Sequence, residues 1–484
     1  MMNEFLLVLL EHEKNGIYFD VNAVNRLKEK YKEEQKDTQR VLENIVNEVM
    51  GDTPVNLSSP EQLSQLIYSR KVKDKVAWAR TFNLGQEQRG PVKKEKYRPR
   101  MSTKEFQHHV RDKTNLLYKT TVNQCKTCKG KGRYEKTKKD GAPYKKLRRC
   151  IDCQGEGYFY KNTKVIGGLK QIPSGVYDTA SGGFKTDKTT LEKLTKKCSK
   201  DSVAHTFMIN LSRNNQITTW KDTFIAGVLN NIGKDNILHP SFSQVVTTTG
   251  RRAGSNPNMH NFPRGDSKFL LRGCIKSRWP KGKLIKGDFK TLEFRTAVHM
   301  ANDKQGIEDV LKDVDAHSFT SKALTEAGQP TSRQDAKPHT FKPLYGGTSG
   351  TKAERNYYKC FLDKYSDIAE WHQQLQDTAI ENKVIVLPTG REYAFPNAKR
   401  TKWGSSTYKT QIVNWPGQGF ATADIVPVAG IEVLRLMKEA KVKSLFMLEV
   451  HDELLSDLYP GEDKIMIEIY KEGMGNVEAL LKDR

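Results

Sequence analysis

Two aspartates far apart in the chain, each behind a short run that reads as a strand, constrain the fold more than any other feature. Asp288 follows Gly282-Lys283-Leu284-Ile285-Lys286-Gly287 and opens the run Asp288-Phe289-Lys290-Thr291-Leu292-Glu293-Phe294-Arg295. Asp452 lies in His451-Asp452-Glu453, directly after Leu445-Phe446-Met447-Leu448-Glu449-Val450. A short apolar run of this kind reads as a largely buried strand, so two strands are expected to deliver the two carboxylates. Between them, Arg333, Lys337, Phe341 and Tyr345 recur every four residues, which places them along one slowly drifting face of a helix. Thr331 and Ser332 offer N-caps, with Asp335 as the capping-box acid three residues beyond Ser332, and Gly346-Gly347 supplies a stop. Pro338 and Pro343 fall inside this row. Each removes a backbone donor, at a cost of about 3 kcal/mol in a helix interior, so the spacing predicts a kinked helix.

These residue types suit one chemistry. Joining a nucleotide to a 3′ hydroxyl is an in-line displacement at phosphorus, which two metal ions about 3.5–4 Å apart stabilise at both the attacking and the leaving oxygen. Mg²⁺ takes one or two carboxylates together with substrate phosphates, as Asp288 and Asp452 could supply. A helix N-terminus with Arg333 and Lys337 beside it suits a triphosphate, and Phe341 and Tyr345 offer faces for a base and sugar. Taken singly, each Asp reads as an ordinary solvated acid among 57, and the central row reads equally as an amphipathic surface helix. Their order along the chain points to nucleotidyl transfer.

In that order the three runs resemble motifs A, B and C of family A DNA polymerases, the bacterial polymerase I type also found in many phages. Further segments are similar to the same family. Thr249 to Pro263, with Arg251, Asn258 and Asn261, resembles its primer-template segment, and Asp315-Ala316-His317 its phosphate-touching run. Gln411-x2-Asn414-x-Pro416-x-Gln418-Gly419 resembles its template-contacting helix. Near the start, Glu13 to Asp20 and Asn56 to Leu63 resemble the beginning of the polymerase region and its thumb. The resemblance covers roughly residues 1–70 and 171–484.

What the resemblance implies is specific. Asp288 and Asp452 would be catalytic and would bind two Mg²⁺ ions, with the Phe289 carbonyl as a further ligand. Glu293 would exclude a ribose 2′-hydroxyl. His317, Arg333 and Lys337 would hold the triphosphate, and Phe341 and Tyr345 would bound the nucleotide pocket; Phe at 341 implies poor acceptance of dideoxynucleotides. Arg251, Asn258, Asn261, Asn414, Gln418 and His451 would contact primer-template DNA. The implied fold is an α/β (α+β) right hand with an antiparallel-sheet palm, helical fingers and a helical thumb. Its expected segments are 1–70 (start of the polymerase region and thumb), 71–170 (a basic zinc-binding insertion), 171–250 (the rest of the thumb), 251–300 (palm with motif A), 301–400 (fingers with motif B) and 401–484 (palm with motif C). A proofreading exonuclease domain is expected to be missing, because the resemblance begins within the first twenty residues.

The net charge of +24 favours polyanionic partners, and it is concentrated. Residues 71–170 hold 28 Lys+Arg and 9 Asp+Glu, hence +19 of the +24. Within them stand two near repeats, Cys125-x2-Cys128-x-Gly130-x-Gly132 and Cys150-x2-Cys153-x-Gly155-x-Gly157. Four thiolates at this spacing make a closed tetrahedral Zn²⁺ site, and the glycines allow the tight turns that aim sulfur at metal. The units resemble a DnaJ-like zinc domain, so one structural Zn²⁺ in a zinc ribbon inserted in the thumb is expected. Tyr118, Tyr134, Tyr144, Tyr158, Phe159 and Tyr160 lie among its lysines, a mixture that can contact phosphates and stack on bases. The bland reading is a solvated basic face around a fold-holding zinc. Cys198, Cys274 and Cys360 read as buried thiols.

The expected partners are primer-template DNA, deoxynucleoside triphosphates and a processivity factor or separately encoded exonuclease. The one early apolar run, Phe5 to Leu10, is too short to span a bilayer, so neither membrane insertion nor secretion is expected. The expected location is cytoplasmic, the host cytoplasm for a phage-encoded chain. Two rivals share some of these residues. A single-subunit RNA polymerase also uses two Asp and a Lys/Tyr helix, but Glu293 as a sugar gate argues against it. A catalytically idle zinc-dependent nucleic-acid binder would have no use for Asp288, Lys337 and Asp452 together.

Overall fold

The computed structural model describes residues 2–51, 53–69, 80–83, 121–134, 147–153, 158–161, 168–173, 184–263, 269–477 and 481. Much of the basic 71–170 segment, including Tyr118 and Tyr144, lies outside the described residues. The chain divides into two compact units, Lys28–Thr223 and Met1–Leu27 with Phe224–Arg484. The first division falls within a long helix. Among the described residues no helix is long and apolar enough to cross a membrane.

Helices α1 (Met2–Asn15) and α2 (Val21–Met50) open the chain. In the unit Lys28–Thr223, α2 is followed by α3 (Pro60–Tyr68), four short strands, α4 (Lys188–Lys197) and α5 (Val203–Thr218). The helix starts are written in the sequence. Ser59, Asp187 and Ser202 each accept a hydrogen bond from a backbone N–H of the first turn, and Pro60 takes the first position of α3. Apolar residues three and four apart face one core: Leu42, Ile45, Val46 and Met50 of α2, Leu63, Leu66 and Ile67 of α3, Leu191 and Leu194 of α4, and Phe207, Met208 and Leu211 of α5. The short strands form two ladders. Strand β1 (Thr121–Gln124) pairs antiparallel with β4 (Tyr158–Lys161), and β2 (Arg133–Tyr134) with β3 (Arg148–Arg149).

The other unit is built on a three-stranded antiparallel sheet in the order β8 (Leu445–Val450), β9 (Glu453–Leu458), β5 (Lys283–Asp288). Both β8 and β5 are edges of this sheet, but β8 is almost wholly buried, whereas every residue of β5 is exposed or half-buried. That is why Leu445 to Val450 is apolar at every position but Glu449, whereas Lys283 to Asp288 interleaves lysines with aliphatics. Helices α1, α12 (Val426–Glu439) and α13 (Asp463–Gly475) supply Phe5, Val8, Val433, Met437, Met466 and Tyr470 to the core over this sheet. Each such side chain contributes about 1.5–3 kcal/mol by leaving water. Gly287 has to be glycine, since a Cβ there would stand 2.5 Å from Met474 Sδ and 2.7 Å from Tyr470 Cδ1.

A second core in this unit is helical. It gathers α6 (Leu292–Ala301), α9 (Lys352–Lys364), α10 (Ser366–Glu381) and α11 (Lys409–Gly419) through Phe294, Val298, Tyr358, Phe361, Trp371, Leu375 and Ile412. Helices α7 (Ala316–Glu326) and α8 (Arg333–Thr340) and the hairpin of β6 (Val384–Val386) with β7 (Glu392–Ala394) complete the elements used below.

The four-residue row does not lie on one helix. Ser332 caps α8 as expected, its Oγ accepting from Asp335 N and donating to Asp335 Oδ2, and Pro338 is accommodated within α8. The helix then ends at Thr340, and Pro343–Tyr345 form a 3₁₀ turn that stops at Gly346, φ 71°. Pro343 has no N–H to continue the ladder, and Lys342 N falls back to His339 O at 3.3 Å. Phe341 and Tyr345 therefore sit beyond the helix that carries Arg333 and Lys337. A further expectation is corrected at Cys360, which is exposed; Cys274 is buried and Cys198 half-buried.

Candidate active site and a four-cysteine cluster

The two aspartates meet through backbone pairing. Strands β8 and β9 are joined by the two-residue turn His451-Asp452, in which His451 takes φ 60°. Residue 453 then pairs in register with Asp288 at the end of β5. Phe289 N donates to Asp452 O at 3.1 Å, which ties the backbone of one carboxylate bearer to the neighbour of the other. Asp288 is about half exposed, with Lys286 Nζ 3.9 Å from its carboxylate. A cavity of about 470 Å³ opens beside it between Phe289, Lys290 and Arg295 on one side and Tyr470, Lys471 and Met474 on the other.

Glu293 lies in the first turn of α6. Burial pushes its carboxyl up, Arg251 pulls it back, and Asp452 pushes it up again. Arg251 is ion-paired with it, donates from Nε to Thr422 Oγ1 at 3.3 Å, and meets Gln418. With its amide oxygen turned to the guanidinium, Gln418 accepts from Nη1 at 3.2 Å and from Nη2 at 3.1 Å. Arg251, Glu293 and Gln418 thus form one cluster. The remaining sequence-identified contacts are dispersed. Asn258 Oδ1 accepts from His260 N at 3.0 Å as the cap of a short turn, and Asn261 follows at its exposed end. Asn414 on α11 has a buried Oδ1 with no hydrogen-bond partner. The His451 ring stands 6.2 Å from that of His260.

The cationic corner is assembled from α7 and α8. Asp315 caps α7 and binds Arg333, with Nε to Oδ2 at 2.6 Å and Nη2 to Oδ1 at 3.3 Å. Arg333 first, then Ser318, hold the Asp315 carboxyl well below the usual range. His317 is lowered by burial, then by Arg333, with Lys337 adding to it. Its tautomer follows from its partner. Thr340 Oγ1 spends its proton on Ala336 O at 3.0 Å, so it accepts from His317 Nδ1 at 3.0 Å, which leaves Nε2 unprotonated in the neutral ring. Phe341 stacks on Phe294 at 5.7 Å and meets His317 edge-on at 5.4 Å; Tyr345 is half-buried against the same core.

Several residues here escape sequence reasoning. Asp315 stands out in the sequence only as the neighbour of His317 in the run Asp315-Ala316-His317, yet it anchors Arg333. Arg252 and Glu449, 4% and 3% exposed, form a buried ion pair close in sequence to the His451-Asp452 turn, and Arg252 also donates to Thr422 O. His12 of α1 is fully buried against Phe446 at 4.5 Å, with neither ring nitrogen hydrogen-bonded. Burial, with His260 and Arg252 nearby, pushes it down to about 3.

In the other unit, Cys125, Cys128, Cys150 and Cys153 are buried, and their sulfurs all lie within 4.8 Å of one another. Cys125 Sγ is 3.7 Å from Cys150 Sγ and Cys128 Sγ 3.5 Å from Cys153 Sγ. Four sulfurs at about 2.3 Å from a central Zn²⁺ stand about 3.8 Å apart in a tetrahedron, so the donor set fits that ion. Gly132 N donates to Cys128 Sγ at 3.3 Å, a bond that steadies a thiolate.

Residues 163–482 match the model of the family described as DNA polymerase family A, which is about two thirds of the chain. The chain belongs to DNA polymerase family A. Among family relatives, the DNA polymerase I of Caldicellulosiruptor bescii is 29% identical over 316 residues, covering 62% of this chain and 36% of that protein. The DNA polymerase I of Bacillus subtilis is 26% identical over 359 residues, covering 70% and 40%. The chain thus spans between a third and two fifths of the length of these curated relatives. Among solved structures, the POL domain of Pol1 from M. smegmatis, in complex with DNA primer-template and dNTP, matches with TM-score 0.66 at 20% identity over 99% of this chain and 67% of that one. The family A chain accordingly has the right-hand polymerase fold of mixed helix and antiparallel sheet.

Proposed function

We propose that this chain is a template-directed DNA polymerase that adds deoxynucleotides to a primer 3′ end. The observation that carries the reading is the register of β5 and β9, with Phe289 N on Asp452 O, which brings two carboxylate-bearing residues to one end of one sheet. In the reaction the primer 3′ hydroxyl gives up its proton to solvent, its oxygen bonds to the α-phosphorus, and the bond to the β,γ-diphosphate breaks to release pyrophosphate. Asp288, Asp452 and the Phe289 carbonyl would hold two Mg²⁺ ions, which supply charge stabilisation to the attacking and leaving oxygens.

The chain's own residues do the rest. Arg333, fixed by Asp315, and Lys337 attract the triphosphate. His317 offers Nε2, which becomes a donor only when the ring is protonated; a phosphate beside it would draw that proton. Glu293, held against Arg251, would exclude a 2′-hydroxyl from the sugar of the incoming nucleotide. Phe341 and Tyr345 bound the nucleotide, and Arg251, Gln418, Asn414, Asn258, Asn261 and His451 contact the duplex. The four-cysteine cluster would hold one Zn²⁺ and stabilise a basic module that lengthens each DNA encounter, by gripping duplex or docking a processivity factor. Primer extension with deoxynucleotides and Mg²⁺, wild type against Asp288→Ala, tests the reading; equal extension by both proteins would overturn it.

A further inference from the structure

Trp403 is 92% exposed, more than any other large apolar side chain among the described residues. Its loop is nonetheless held in shape. Thr401 N donates to Ser405 O at 2.7 Å, Gly404 N to Thr401 O at 3.1 Å and Trp403 N to Thr401 Oγ1 at 3.3 Å. Arg400 Nη1 adds a bond to Gly404 O at 2.9 Å, and Arg400 and Ser406 pair as an isolated bridge. Gly404 takes φ 79°, a conformation that costs glycine little and other residues more. Burying an indole is among the largest apolar gains open to a chain. A turn pinned this closely, with its indole left in water, keeps the ring available.

The surroundings say for what. Lys399, Arg400 and Lys402 are exposed around the turn, and Arg400 is bound to Asp377 at 2.5 Å. Five residues beyond Trp403 the chain enters α11 through Tyr408, which is 48% exposed, takes φ 61° and makes no side-chain cap. The first residue of α11 is Lys409. A cation there opposes the helix dipole, and the uncapped first-turn N–H groups favour an anion. A protein-docking patch would gather apolar neighbours around the ring; here the neighbours are cations and hydroxyls. Rings set among cations are the pattern that tracks a single-stranded backbone and stacks its bases without reading sequence. Helix α11 also carries Asn414 and Gln418, and Gln418 is bound to Arg251 beside Glu293, so the helix that starts at the platform ends at one wall of the candidate site.

We propose that Trp403 and Tyr408, with Lys399, Arg400, Lys402 and Lys409, form a stacking platform for the unpaired template strand as it approaches the active site. This rests on the polymerase reading above. The test is equilibrium binding by fluorescence anisotropy, without nucleotide or divalent ions. It uses three DNAs: a blunt duplex, the same duplex with a 5′ overhang of about 10 nucleotides, and one with an equal 3′ overhang. Trp403→Ala weakens binding of the 5′-overhang DNA on the order of tenfold, leaves the blunt duplex unaffected, and Trp403→Phe recovers much of the loss by restoring a ring. Equal affinity of wild type and Trp403→Ala for the 5′-overhang DNA overturns the proposal and leaves the turn to a protein partner. Equal losses on both overhangs overturn the assignment to the template strand. Undiminished extension by Asp288→Ala would defeat the polymerase reading without touching these affinities, so the two fail separately.

Discussion

At the Asp288–Asp452 corner the positions of the carboxylates follow from a three-stranded ladder and a buried strand, β8, under three helices. The four sulfurs of Cys125, Cys128, Cys150 and Cys153 rest instead on one ladder of four residue pairs and one of two, with Tyr134 as the described partly buried apolar neighbour. Two-stranded ribbons of this length are marginal in water, so a metal ion held by the four cysteines, as proposed, would stabilise the shape of the cluster, whereas the backbone ladder alone places the two carboxylate-bearing residues. On the proposed function, metal would follow fold in the first region and fold would follow metal in the second.

The sharpest way to break this contrast is at the corner itself. Asp288→Ala or Asp452→Ala should lower extension at least about 10³-fold, roughly 4 kcal/mol of lost transition-state stabilisation, while the melting temperature stays near wild type. A melting temperature that falls together with activity would show that the carboxylates also hold the fold. Next comes the cluster. Metal analysis should return one Zn²⁺ per chain, and chelation or Cys128→Ser should expose residues 121–161 to protease while the 224–484 region keeps its circular-dichroism signal. Protection of 121–161 in the chelated protein would place the cluster in the same class as the corner.

Glu293→Ala should reduce discrimination against ribonucleotides by about 10- to 100-fold, read as the ratio of kcat/KM values; an unchanged ratio would move the sugar gate elsewhere. The smallest effects are electrostatic. His317 is held below its ordinary value in the free protein and would be raised by a bound phosphate, so nucleotide binding takes up a proton. KM for the nucleotide should therefore rise with pH through neutrality, and His317→Gln should flatten that rise. His12 presents the mirrored sign. Its folded value of about 3 lies below the ordinary 6.5, so the unfolded chain binds more protons between the two, and stability is lost as pH falls below 6.5. Replacing it in His12→Leu should remove about 2 kcal/mol of the stability difference between pH 7 and pH 5, measured by urea titration; an unaltered difference would show that the folded ring takes up its proton as readily as the unfolded one.

Local order was legible to the extent that it depends on neighbours in sequence. The cap at Ser332, the apolar run of β8 and the paired Cys-x2-Cys units could all be read from a few consecutive residues, because caps, burial patterns and knuckle turns are short-range. The straight run of Arg333, Lys337, Phe341 and Tyr345 misled where one missing N–H at Pro343 outweighed the four-residue period. Cys360 misled because burial of a lone thiol depends on what packs against it.

The sequence by itself determined the residue chemistry: two carboxylates, a cationic helix start, four paired cysteines and a family pattern spread over most of the chain. Only the tertiary structure decided that residue 453 pairs with Asp288, that Asp315 holds Arg333, that Arg252 and Glu449 share a buried charge pair, and that Trp403 stands in water on a pinned turn. Each of these joins residues through space or exposes one for want of a neighbour. Register, desolvation and exposure are properties of the packed chain, and no window of sequence contains them.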